Sequence, residues 1–132
     1  MIQPLITLPF VIPDIYAGFA EAQGIIRIED NTLILEFVIR DSLVGLLKSG
    51  VKEIRIPISE IVSVTLNKGW FKISLIIRTQ KLSSLGNLPK QEAGQIKLSL
   101  LREDGEIAEK LALFLRLKIS EEKLNLLDGT YI

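Results

Sequence analysis

Alternation of apolar and polar residues along the chain predicts strands that each bury one face. The candidate strands span residues 24–28, 32–40, 51–58, 62–66, 71–79 and 95–101. Between the first two, Asp30 and Asn31 favour a tight turn, because both residue types tolerate a left-handed backbone. In the longest strand, every second residue is predicted to face inward, namely Phe71, Ile73, Leu75 and Ile77. We therefore expect an antiparallel sheet with one dry face.

The hydrophobic period becomes helical near residue 104. The apolar stripe consists of Ile107, Leu111, Phe114, Leu115 and the aliphatic stem of Lys118. These positions recur at the spacing of one helix face, which predicts an α-helix over about 104–118. From Ser120 onward, either a second short helix begins or the first helix continues, and the pattern leaves both alternatives open.

The first 19 residues are apolar but are interrupted by three prolines, Pro4, Pro9 and Pro13. Proline removes a backbone donor and breaks helices, so we predict an extended N-terminal arm over 1–19. Alternatively, the first strand lies within Ile15–Ala22, and the arm is then limited to residues 1–14. The segment lacks the basic start of a signal peptide, which favours a cytoplasmic protein.

Together these elements predict a mainly β (β+α) fold in a single domain, residues 1–132. Six to seven antiparallel strands would form a partly open barrel or two packed sheets, because exposed sheet edges favour aggregation. Barrel and helix would occupy residues 20–118, with the helix covering one open end. Residues 119–132 would form a tail or a short helix.

One stretch resembles a known family. The segment Ile54-Arg55-Ile56-Pro57-Ile58-Ser59-Glu60-Ile61, followed by a hairpin turned at Gly69, resembles bacterial pleckstrin-homology-like and GRAM-like domains. The resemblance implies a partly open barrel of about seven strands capped by a C-terminal helix. It also implies a binding or assembly module rather than an enzyme.

Composition narrows the chemistry. The chain of 132 residues has no cysteine and no histidine, which excludes thiol catalysis, imidazole acid–base chemistry and the usual zinc sites. Its acidic pairs, such as Glu29-Asp30, are adjacent in sequence, and adjacent strand residues point to opposite faces. We therefore predict no catalytic residues, no metal and no cofactor.

Charge argues against polyanionic partners. Sixteen basic and sixteen acidic residues cancel, so binding to nucleic acid is not expected. The Glu29-Asp30-Asn31 turn carries two carboxylates, and we predict no specific phosphoinositide binding there. A group of cations on or near the 62–79 hairpin is either a patch for an anionic partner or a solvated outer face: Lys68, Lys72, Arg78 and Lys81.

Apolar residues at outward positions are the most informative feature for function. The segment 41–50 connects two strands yet contains Leu43, Val44, Leu46 and Leu47. These side chains either plug the open barrel end or contact a partner. Further outward apolar residues are Ile34, Val38, Ile76 and Leu101. Trp70 follows the hairpin turn, where its ring either contacts a partner or folds over the rim of the barrel. As partner-binding residues we predict Val44, Leu46, Leu47 and Trp70; membrane contact through Trp70 is compatible with the pattern but is not predicted.

These observations favour a non-enzymatic binding and assembly module that acts through protein–protein contacts, including contacts with its own copies. The alternative is a small barrel that binds an apolar ligand or lipid, with residues 41–50 or 80–94 as its lid.

Overall fold

The computed structural model describes residues 6–47 and 49–130, with side chains described as far as Leu127. Seven antiparallel strands, three 3₁₀ turns and one long helix make up the fold. The strands are β1 Thr7–Ile15, β2 Ala20–Glu29, β3 Thr32–Asp41, β4 Lys52–Pro57, β5 Ile61–Lys68, β6 Ile73–Thr79 and β7 Gln95–Leu100. The turns lie at Ile58–Glu60, Leu82–Leu85 and Arg102–Asp104, and helix α1 spans Gly105–Thr130.

The strands form one sheet in the order β4-β3-β2-β1-β7-β6-β5, and the sheet does not close because β4 and β5 are not paired with each other. Two meanders, β1–β4 and β5–β7, meet where β1 lies beside β7. That seam has a single register pair, Val11 with Ser99. The mainly β fold with a C-terminal helix, expected from the sequence, is confirmed and matches a pleckstrin-homology-like β+α arrangement.

The predicted N-terminal arm is wrong for residues 7–15, which form β1 inside the sheet. Leu8, Phe10 and Ile12 alternate with more exposed residues and are buried. The two prolines of this strand, Pro9 and Pro13, fall on its other face together with Val11. Because proline cannot donate to a ladder, it is tolerated where pairing is sparse, as it is at the β1–β7 seam.

Strands β2 and β3 form the longest ladder, with ten paired positions from Ala20–Asp41 to Glu29–Thr32. The turn between them is the one predicted: Asp30 and Asn31 have φ values of 48° and 60°. This turn joins the second and third strands, however, since β1 precedes them. The loop between the first two strands is therefore residues 16–19 and carries no charged residue.

Helix α1 packs across β5 and the Ile58–Glu60 turn. Its buried face consists of Ala108, Leu111, Ala112, Leu115 and Ile119. Of the predicted stripe, Leu111 and Leu115 are buried as expected, whereas Ile107 is 41% exposed and Ala108 and Ala112 belong to the buried face instead. Arg116 Nε donates to the Val64 carbonyl oxygen at 3.1 Å, so the helix also occupies part of the free edge of β5.

The helix continues past residue 118 to Thr130, so of the two alternatives for the residues from Ser120 onward the continued first helix is the one observed. Ser120 is exposed, and serine in an exposed position of a helix costs only a few tenths of a kcal/mol relative to the best helix formers. The last third of α1 extends past the sheet residues that it packs against, and its Leu124 and Leu127 remain exposed.

Several predicted orientations also differ. Phe71 was expected to face inward, but it precedes β6 and is 84% exposed. Ile34 was expected to add to the outward apolar surface, but it is fully buried. Its cross-strand neighbours are Arg27 and Arg55, and long aliphatic stems of this kind cover apolar side chains. Leu101 remains 52% exposed, as expected for an outward residue.

The long connection 80–94 packs against the barrel through Leu85 and Leu88, both of which are buried. Thr79 Oγ1 lies 2.8 Å from the Lys81 carbonyl oxygen and 3.0 Å from that of Gly94, so one hydroxyl ties the two ends of the connection together. The segment therefore contributes to the core instead of hanging over it as a lid.

Candidate functional site

The β1–β2 turn and the β3–β4 loop lie side by side at one end of the sheet. Ala20, the first residue of β2, pairs with Asp41, the last residue of β3. The backbone N–H of Ser42 also donates to the Phe19 carbonyl oxygen at 3.0 Å. The antiparallel ladder thus brings two segments together that are more than twenty residues apart in sequence.

Seven large apolar side chains project from these two segments, and we call this surface the apolar end. Each of them exposes between 58% and 83% of its surface: Tyr16, Phe19, Leu43, Val44, Leu46, Leu47 and Val51. Scattered single apolar residues are ordinary on protein surfaces, but seven large ones on two adjoining segments form the most apolar exposed region of these loops and need a physical explanation.

The backbone of the β3–β4 loop holds these side chains outward. Asp41 Oδ1 accepts hydrogen bonds from the N–H groups of Leu43 and Val44, at 2.8 and 3.1 Å. The N–H of Asp41 donates to the Leu46 carbonyl oxygen at 2.8 Å. Gly45 has a φ of 73°, which only glycine adopts without strain. The loop is therefore a built turn, and its leucines do not plug the barrel.

Sequence reasoning identified Val44, Leu46 and Leu47 but missed Tyr16, Phe19 and Val51. The signal for the two aromatic residues was available, since both lie in a four-residue segment between alternating apolar stretches. It was overlooked because the prolines of β1 suggested an arm, which left residues 16–19 without a place in the sheet.

Trp70 does not join the other predicted contact residues. It lies at the β5–β6 turn next to Phe71, with the two ring centroids 6.4 Å apart, and both side chains are 84% exposed. From the Val11–Ser99 pair, β1 continues toward the apolar end while β7 continues the opposite way, toward Ile73 and this turn. The aromatic pair and the apolar end therefore lie at different ends of the molecule.

The four predicted basic residues do not form one patch. Lys68 is paired with Glu109 of α1, and Arg78 Nη2 donates to Gln95 Oε1 at 3.2 Å. Lys72 and Arg78 share the outer face of β6, but six residues of strand place them roughly 20 Å apart. Lys81 lies before the Leu82–Leu85 turn. Of the four, Lys72 and Lys68 line two different concave surfaces, while Arg78 and Lys81 line neither.

On the outer face of β2–β4, the cation nearest the 29–31 turn is neutralised. Arg27 contacts Glu36 at 2.8 Å and both Glu29 and Glu53 at 3.5 Å. Partial loss of water lowers the pKa of the Arg27 guanidinium, but the hydrogen bond and charge of Glu36, with Glu29 and Glu53, raise this pKa by more. Arg27 thus stays charged and paired, which leaves little attraction for a phosphate.

Two further surveys of the described residues, 6–47 and 49–130, gave negative results. They contain no group of three or more acidic side chains arranged to hold a metal ion. None of their helices combines the length and apolar character needed to cross a bilayer.

Comparison with protein-family models, with curated proteins and with solved structures produced no match.

Proposed function

We propose that the protein is a non-enzymatic binding and assembly module of pleckstrin-homology-like type, which acts through protein–protein contacts and associates with its own copies. The observation that carries the proposal is the apolar end, where seven large side chains are held in water by an ordered pair of loops. An exposed apolar surface of this size is unfavourable in water, and proteins carry such surfaces mainly where a partner covers them.

The size of the apolar end suits self-association. Burying a large apolar side chain fully contributes about 1.5–3 kcal/mol, so burying the exposed two thirds contributes about 1–2 kcal/mol. Seven such residues supply roughly 7–14 kcal/mol per copy on the same scale. Two copies facing each other about a twofold axis supply this twice, against an association cost of about 4–15 kcal/mol.

Light scattering after size exclusion, over a series of protein concentrations, tests the proposal. The chain alone has a mass of 14.8 kDa, and we expect a defined multiple of it. The variant Leu46→Ser should dissociate the assembly, because a twofold interface loses the contact in both copies. A loss of about 2–4 kcal/mol corresponds to a dissociation constant raised roughly 30- to 1000-fold.

A matched control is available on another surface. Leu46 is 68% exposed and Leu82, in the turn after β6, is 69% exposed. Leu82→Ser changes the same chemistry at the same exposure and should leave the assembly intact. A wild-type mass of one chain at every concentration would contradict self-association. If both variants dissociated the assembly equally, the apolar end would not be its interface.

A second candidate function is binding of an apolar ligand or lipid, favoured by a groove between the start of β1 and helix α1. The groove has a volume of about 650 Å³ and is lined mainly by Ile6, Ile107, Leu113, Phe114 and Leu117. It lies outside the barrel, whose interior is filled by the core. Mass spectrometry of organic extracts from the purified protein tests this candidate. A co-purifying acyl compound that becomes less abundant in the variant Leu113→Glu supports it. An extract without any such compound opposes it.

A further inference from the structure

A cleft of about 670 Å³ lies over the outer face of β6 and β7 and is bordered by Ile12 and Pro13 of β1. Its floor carries Ser74 and Ser99, which pair across the two strands. One wall is the β5–β6 turn with Trp70 and Phe71, and the opposite rim is formed by Lys90 and Glu92. The cleft thus combines a polar floor with an aromatic wall.

The cleft is positively charged. It is lined by Lys72, Lys90 and Lys97, against which Glu92 is the single carboxylate among the lining residues that the structure describes. The three strands beneath and beside the cleft, 61–68, 73–79 and 95–100, contain no Asp or Glu at all. Charge that is balanced over the whole chain is therefore unbalanced on this face.

Two of the three lysines are unengaged. Lys90 Nζ donates to the Pro13 carbonyl oxygen at 3.3 Å. Within residues 6–47 and 49–130, the side chains of Lys72 and Lys97 make no hydrogen bond and no ion pair. Their ammonium groups can therefore bind a ligand without first breaking a contact within the protein.

The spacing of these two lysines indicates the shape of the ligand. Lys97 pairs with Ile76, which is four residues beyond Lys72 on β6, so the two positions lie roughly 14 Å apart. Lysine side chains are long enough to converge on one small anion from this separation, and they can equally contact two separate carboxylates of a longer ligand. An extended peptide places its side chains at positions i and i+4 on one face about 13 Å apart, which matches the separation.

We propose that this cleft binds an extended acidic segment of a partner protein, with carboxylates four residues apart toward Lys97 and Lys72 and an apolar residue against Trp70 and Phe71. Ser74 on the floor is only 7% exposed, so a flat bilayer cannot reach it, whereas a single strand of peptide can. The aromatic wall suits a protein partner, since tryptophan is enriched among the residues that dominate binding energy. The proposal is independent of the apolar end.

Intrinsic fluorescence tests the proposal directly, because Trp70 is the only tryptophan of the chain. The full-length protein is titrated with a capped seven-residue peptide carrying glutamate at its first, third and fifth positions and leucine at its seventh. We expect a saturable change in emission that weakens with added salt. A peptide with glutamine in place of glutamate, and sodium acetate alone, should give no saturable change.

Charge reversal assigns the contacts. The double variant Lys72→Glu with Lys97→Glu should raise the dissociation constant at least tenfold. Lys81→Glu reverses the charge of an exposed lysine outside the cleft and should change the dissociation constant less than twofold. Circular dichroism checks that both variants are folded. Equal binding of the glutamine peptide, an equal loss with Lys81→Glu, or saturation by acetate alone would each overturn the proposal.

Discussion

Gly24 is the position where a single added methyl group should do the most damage. The residue lies in the middle of β2, between Phe10 of β1 and Phe37 of β3. A Cβ built on Gly24 would lie 2.1 Å from the Glu36 carbonyl oxygen and 2.7 Å from the Phe37 Cβ. Both atoms belong to the paired strand rather than to a flexible side chain, so Gly24→Ala requires the backbone itself to move.

The size of the effect follows from that movement. Carbon atoms rest about 3.5 Å from their neighbours, so β2 and β3 must separate locally by about 1 Å or more. A ladder hydrogen bond of about 2.9 Å does not survive such a shift. Two or three lost bonds at about 0.5–1.5 kcal/mol each, plus about 1–3 kcal/mol of overpacking, give a destabilisation of about 2–7 kcal/mol.

Thermal unfolding followed by circular dichroism measures this loss. For a chain of this size, at about 4 °C per kcal/mol, we expect the Tm to fall by roughly 8–28 °C. Gly50→Ala is the control: nothing lies within 4 Å of its added Cβ, and it should shift the free energy of unfolding by less than about 1 kcal/mol, toward greater stability. If Gly24→Ala melted within the error of Gly50→Ala, the close approach of β2 and β3 would be refuted.

Three further outcomes can be checked. Leu115→Ala should cost about 2–5 kcal/mol in urea unfolding because Leu115 is fully buried, whereas Leu117→Ala, at a position 56% exposed, should cost far less. Arg116→Met keeps the aliphatic stem but removes the donor to the edge carbonyl of β5, and should cost about 1 kcal/mol while amide exchange in β5 accelerates. Asp41→Ala removes the acceptor that holds the β3–β4 loop. It should accelerate amide exchange in residues 42–47 and lower the free energy of unfolding by about 0.5–2 kcal/mol. Unchanged exchange would show that another contact holds the loop.

The strands that the sequence predicted best are those with strict alternation. In β3, Leu33, Leu35 and Phe37 face inward as expected and are buried. The turn at Asp30-Asn31 was equally clear, since its left-handed backbone is a local property of those two residues. The predictions that failed relied on local sequence preferences, and pairing with a neighbouring strand outweighed those preferences. Prolines argued against β1, yet the strand forms because its pairing with β2 and its buried face outweigh two missing donors.

By itself, then, the sequence determined which segments extend, which segment is helical, and which chemistries the chain lacks, because these depend on residue type and on short-range periodicity. Only the tertiary structure decided which outward residues remain exposed. It buried Ile34 between two arginines, left Phe71 in water, and joined Tyr16 and Phe19 to a loop more than twenty residues away. Exposure depends on what the neighbouring strand places opposite each residue, and that neighbour is set by sheet order and register. The apolar end and the lysine-lined cleft are therefore properties of the assembled sheet.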